Sequence, residues 1–230
     1  MSRLSNCAYC SAPATTRDHV PTKKLFPSPR PSDLITVPSC ESCNNRLSPD
    51  EEYFVHVLLS LREADTPTAW KLRNELFAKE RTARRLRMSH LMLSTIKRVR
   101  MVTAGGLHLG YGHTFEVDLD RFDRVVEKVA RGLWFAEFQE QLPQDRIASV
   151  LLNPPREGQA GELIEAVFQN GSGKDIGPGI FEYRIAKVPD VPGVGACGMI
   201  FFEATLVMCS LLRPESLGAR GTPTEDESVA

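Results

Sequence analysis

The chain has 230 residues, 42% of them apolar and 25% charged, with a formal net charge of −1. That length can bury a real core, and the charge balance excludes a protein that is basic all over, so any nucleic-acid contact has to come from a local patch. The N-terminus, MSRLSNCAYC, lacks the apolar run of a signal peptide. The longest apolar stretch, Cys197 to Leu212, is too short for a bilayer and contains Glu203, so the expectation is a cytoplasmic protein with no membrane partner.

Residues 1–50 have little regular periodicity and are rich in Pro, Ser, Cys and Asn, a texture that suits a module held by metal rather than by a large core. Four of the six cysteines lie here as two pairs, Cys7-x-x-Cys10 and Cys40-x-x-Cys43. Without an export signal, disulfides are a poor expectation. Two CxxC knuckles supply the four thiolates that a tetrahedral, closed, structural zinc prefers. A redox CxxC would show one pair on a βαβ background instead.

Ser48-Pro49-Asp50-Glu51 reads as a capping box, and Phe54, Val57, Leu58 and Leu61 follow at helical spacing. Thr66-Pro67 opens a second helix predicted to run to about Arg100. Gly105, Gly106, Gly110 and Gly112 predict a turn-rich connection, and Phe115, Val117 and Leu119 alternate like a short strand. Residues 120–142 form a strongly amphipathic helix through Phe122, Val125, Val126, Val129, Leu133 and Phe138, stopped by Pro143. A short helix is expected at 162–168, a half-buried strand through Phe181, Tyr183 and Ile185, and one buried strand or two over 199–212. Residues from about 215 read as a frayed tail. Trp70 and Trp134 are expected in the core, and Cys197 and Cys209 as buried thiols. His56, within an apolar helical run, is expected to be structural, and His90, His108 and His113 lack partners at ligand spacing. The fold class is α+β: a zinc-braced module over 1–50, then a helical and mixed α/β domain over 51–230.

Inside the cysteine frame lie Asp18-His19, and Asn44 directly follows the last knuckle. Asp and Asn oxygens are hard ligands suited to Mg²⁺ or Mn²⁺, and a neutral imidazole beside such an ion can take a proton from water. Each residue alone is more often a turn, a satisfied polar side chain or a cap; together they point to chemistry. The run Cys7-x2-Cys10, Asp18-His19, Cys40-x2-Cys43-Asn44 resembles the HNH endonuclease family, in particular its four-cysteine branch with a DH…CxxCN pattern. The matching region is about 7–48. The resemblance implies a ββα-metal fold and metal-dependent hydrolysis of phosphodiester bonds, in DNA before RNA. His19 would be the general base, and Asp18 and Asn44 would hold a catalytic Mg²⁺ or Mn²⁺. The family's middle Asn is missing, with Ile35 at its place and Thr36 or Asp33 as substitutes. The alternative is a non-catalytic zinc module that binds nucleic acid or a protein on the same frame.

Between Lys71 and Arg100 there are ten Lys or Arg and two Glu, densest at Arg81, Arg84, Arg85 and Arg87. Such a helix either tracks a phosphate backbone or is a solvated face paired with acidic residues. Lys23 and Lys24 are candidate phosphate contacts, and Arg46 is either a third or a solvated surface residue. A regulatory partner or a second copy acting through the C-terminal half stays open.

Overall fold

The structure is a computed structural model that describes residues 6–79 and 94–212. It is mixed α+β. Strands β1 (Thr16–His19) and β2 (Thr36–Ser39) pair antiparallel, with Asp18 opposite Val37 and His19 opposite Thr36. A short helix α1 (Glu41–Asn45) starts at Cys40, whose Sγ accepts the Cys43 N–H, and α2 (Ser48–Ser60) follows. After α3 (Pro67–Lys79) come β3 (Lys97–Val102) and β4 (His108–Thr114), an isolated antiparallel pair. The remainder is a long helix α4 (Leu119–Phe138), β5 (Ile147–Leu152), α5 (Gly158–Asn170), β6 (Asp175–Ile176), β7 (Phe181–Lys187), β8 (Gly195–Phe201) and β9 (Thr205–Leu212). Strands β5 to β9 build one antiparallel sheet in the order β5-β9-β8-β7-β6.

Helix α4 explains the placement of the rest. Asp118 caps it by accepting the Arg121 N–H, and Gln139 closes it in a left-handed conformation at φ 54°. Phe122, Val125, Val126, Val129 and Leu133 recur three or four apart and are all buried. They meet α2 through Phe54, whose ring lies 4.9 Å from Phe122 and 5.5 Å, edge-on, from Phe201 of the sheet. Each such pair adds about 0.5–1.5 kcal/mol beyond burial. The other face of the sheet is covered by α5, where Ile164 and Val167 pack on Ala196, Leu206 and Met208. Strand β8 is thus clothed on both sides, which is why its sequence is apolar without alternation.

The cysteine-rich segment is not a separate body. Residue 50 falls within α2, and one continuous core joins Cys7, Tyr9 and Val20 to α4 and the sheet. Gln141 and Gln144 donate to the carbonyls of Cys7 and Tyr9. Gly132 lets α4 approach closely: a Cβ there would sit 2.6 Å from Val20 Cγ2 and 2.9 Å from the Tyr9 hydroxyl. Gly132→Val is therefore expected to destabilise the protein by about 1–3 kcal/mol through overpacking, read as a lower urea midpoint; an unchanged midpoint would contradict this packing.

Several expectations need correction. The helix expected to reach Arg100 does not: Lys97–Val102 is strand, favoured by Val99 and Val102 and by pairing with β4. Gly110 and Gly112 lie within β4 rather than in a loop, and only Ala104 to Gly106 turn the chain. Phe115 to Asp118 is irregular, and Leu119 begins α4. The capping box does not form: the Ser48 hydroxyl accepts from Lys24 and Glu51 turns inward to Lys128. Trp70 is 48% exposed, its indole N–H given to Asp65 and Arg73 stacked on its ring, whereas Trp134 is in the core. Cys197 and Cys209 face each other in register, fully buried, and burial pushes Cys209 up to about 12. Two strands fill 195–212, turning on Phe202 and Glu203, both at positive φ. No helix among the described residues is long and apolar enough to cross a membrane.

Candidate metal centre and adjoining site

The thiol sulfurs of Cys7, Cys10, Cys40 and Cys43 lie within 4.8 Å of one another. The Cys7 N–H closes the first knuckle on the Ala12 carbonyl, and the Ala8 N–H ties it to β2 through the Pro38 carbonyl. The second is the first turn of α1, which places Cys40 and Cys43 on one side. Cys10 Sγ is 3.7 Å from Cys40 Sγ and 3.6 Å from Cys43 Sγ. This set can hold a zinc ion. Burial opposes ionisation of Cys7, but backbone N–H groups of Cys40, Tyr9 and Cys10 outweigh it and lower the thiol to about 7. Burial and the neighbouring thiols push Cys43 up. Four crowded sulfurs cannot all ionise alone, and a bound dication removes that conflict.

A cleft of about 230 Å³ beside the cluster is lined by Arg46, Arg124, Lys128 and Arg131 together with Cys10 and Cys43. Glu127 lines it too and pairs with Arg131, while Arg124 pairs with Asp50 and Lys128 with Asp18 and Glu51, so Arg46 is the lining cation with no carboxylate partner among the described residues.

Asp18 is 5% exposed, and its Oδ2 receives two donors. Tyr9 OH donates at 3.0 Å and the Lys128 ammonium lies at 2.8 Å. Lys128 Nζ also donates to Glu51 Oε1 at 2.7 Å, so one buried ammonium joins β1 to α2 from its seat on α4. Burial pushes the Asp18 carboxyl up, and Lys128 and Tyr9 bring it only partly back. Burial works against the Lys128 charge, but the two carboxylates outweigh it and hold the ammonium protonated.

His19 ends β1 half-buried. Burial first, then Lys23, lower its pKa from the usual 6.5, which keeps the imidazole neutral near pH 7. It lines a cavity of about 10 Å³ with Tyr9, Thr22, Glu51 and Lys128, room for about one water. Among the described residues no hydrogen bond orients the ring: Thr36, opposite it, accepts from Arg17 instead, and Asp33 is exposed. Asn44 donates its amide to Thr16 Oγ1 at 3.0 Å and to the Arg17 carbonyl at 3.3 Å, which leaves its Oδ1 without a bond among the described residues. Thr16 and Asp18 alternate onto one face of β1, the face that Asn44 meets through Thr16, whereas His19, at the strand's end, alternates to the other.

Lys24 is held by the Ser48 carbonyl at 2.8 Å and by Glu51 at 3.8 Å, fastening the loop to α2. Lys23 and Arg46 are exposed. Arg81, Arg84, Arg85 and Arg87 lie outside the described residues, as does the tail expected from about 215.

The sequence marks neither Tyr9 nor Lys128 as a site residue, and Glu51 only as the end of a capping box. Glu51 carried a signal, since it stands three residues before Phe54 and four before Val55, on an otherwise apolar face. Lys128 sits between Val126 and Val129 with no sequence mark of its partner 110 positions away. No family model matches this chain, and no curated protein and no solved structure matches it significantly.

Proposed function

We propose that this chain is a metal-dependent nuclease of the HNH kind, hydrolysing phosphodiester bonds of nucleic acid, DNA before RNA, at a zinc-braced ββα site. The observation that carries the reading is His19: a neutral imidazole at a strand end, beside a water-sized cavity, on a hairpin whose ends are tied by the cysteine cluster. His19 accepts the proton of the attacking water at a ring nitrogen. The Asn44 amide is held by its bonds to Thr16 and to the Arg17 carbonyl, which leaves Oδ1 free to serve as a ligand, and Asp18 offers a second hard oxygen. This donor set fits Mg²⁺ or Mn²⁺. When bound, such an ion supplies charge neutralisation at the phosphate and the leaving oxygen. Lys128, seated on Asp18 at 2.8 Å, is its competitor for that carboxylate.

The test is nicking of supercoiled plasmid by zinc-loaded protein with Mg²⁺ or Mn²⁺. His19→Ala is expected to lower the rate by at least about a hundredfold while zinc content and thermal midpoint stay unchanged; equal cutting by His19→Ala would overturn the assignment.

One observation favours a second reading. Asp18 is neutralised by Lys128 and the middle Asn is replaced by Ile35, as a scaffold that binds without cutting would allow. Wild-type protein that shifts DNA but leaves plasmid intact with every divalent ion tried decides for it.

A further inference from the structure

Strands β3 and β4 form a two-stranded ribbon that is not part of the five-stranded sheet. Nearly every residue on both of its faces is exposed. A two-stranded ribbon is marginal by itself in water, and this one leaves Leu107 67% and Leu109 60% exposed at its tip. Its charge has one sign: Lys97, Arg98 and Arg100 lie on β3, and no Asp or Glu occurs from residue 94 to 115. Arg98 is held over the Tyr111 ring at 3.9 Å, and His108 meets the same ring edge-on at 5.4 Å, so the face that carries Arg98 and Arg100 is braced by aromatic contact. Glu116, at the base, pairs with Lys97.

We infer that this ribbon is a nucleic-acid-binding arm that engages duplex DNA, its cations against the phosphates. The groove width supports the occupant: the major groove admits a two-stranded ribbon as readily as a helix. So does charge complementarity: Arg98 and Arg100 have no carboxylate partner among the described residues and Lys97 has only Glu116 at the base, an excess of positive charge for which a protein partner matched to the apolar tip alone has no use. The inference deepens the nuclease reading by naming the duplex as what is held, yet it does not require cutting.

The test is electrophoretic mobility shift with a short blunt DNA duplex, without added divalent ion, over a range of salt concentrations. Two variants are compared with wild type. Lys97→Gln/Arg100→Gln keeps the Arg98–Tyr111 stack and so the ribbon's own packing; Lys97→Ser/Arg98→Ser/Arg100→Ser removes all three charges. The triple variant is expected to bind at least about tenfold more weakly, with the slope of log affinity against log salt reduced by about 2–3, and the double variant by about 2. Far-ultraviolet circular dichroism and the thermal midpoint check folding, and the double variant decides if the triple one unfolds. His19→Ala protein is expected to bind as wild type does, so failure to cut bears on the hydrolytic reading alone. Unchanged affinity and slope in the double variant, wild-type binding of single strands only, or no duplex binding at low salt overturns the inference.

Discussion

Cys43→Ser is expected to abolish zinc binding and to release the N-terminal hairpin while leaving the five-stranded sheet folded. The effect is large because the segment around β1 and β2 has few apolar side chains of its own, chiefly Val20, Leu25, Phe26 and Val37. Apparent free energies for structural zinc sites are about 10–16 kcal/mol near neutral pH, and removing one thiolate forfeits much of that. Cys43 is also part of the first turn of α1, so its loss loosens Asn44 and the bonds that fix that helix to β1. Strands β5 to β9 pair with one another and not with β1 or β2, so the sheet is expected to outlast the hairpin although the two share one core through Cys7. Metal analysis with amide exchange reads the result: zinc falls from one per chain to none, and protection is lost in 6–47 but kept in 181–212. A zinc-free variant with native exchange throughout would show that the cluster does not brace the fold.

Lys128→Met is expected to cost about 3–5 kcal/mol, because it leaves the Asp18 and Glu51 carboxylates buried without their shared cation. The side chain is 9% exposed and the two carboxylates 7% and 10%, so water cannot replace the ammonium. Lys24, 3.8 Å from Glu51, offsets only part of the loss. Lys128→Met/Asp18→Asn/Glu51→Gln removes all three charges together and is expected to recover most of the stability, since a buried pair is often no better than neutral groups of similar shape. Urea denaturation of wild type and the two variants measures this. A single Lys128→Met variant as stable as wild type would mean that the triad is not buried as described.

The sequence was most informative where chemistry is local. Two CxxC pairs announce a thiolate cluster whatever the surrounding fold, and the apolar period of α4 names its own buried face. It was least informative where identity depends on what comes from afar. Asp18 reads as a free carboxylate on a strand, and only the fold brings Lys128 from α4 onto it. Lys97 to Arg100 continues the charge pattern of a basic helix, and only pairing with His108–Thr114 makes it a strand. The turn between β8 and β9 rests on Phe202 and Glu203 in the left-handed region, residue types that give no turn signal. Ser48 and Glu51 match a capping box by spacing, yet tertiary ion pairs claim both side chains.

The claim on which the mechanism stands is that Asp18 and Asn44 hold one divalent ion beside His19. A crystal of the zinc-loaded protein soaked in Mn²⁺, with anomalous data at the manganese edge, tests it most directly. A single peak is expected between Asp18 and Asn44 Oδ1, at about 2.0–2.6 Å from each oxygen, with the Lys128 ammonium withdrawn from Asp18. A map with no peak there, and Lys128 still seated on the carboxylate, would contradict it.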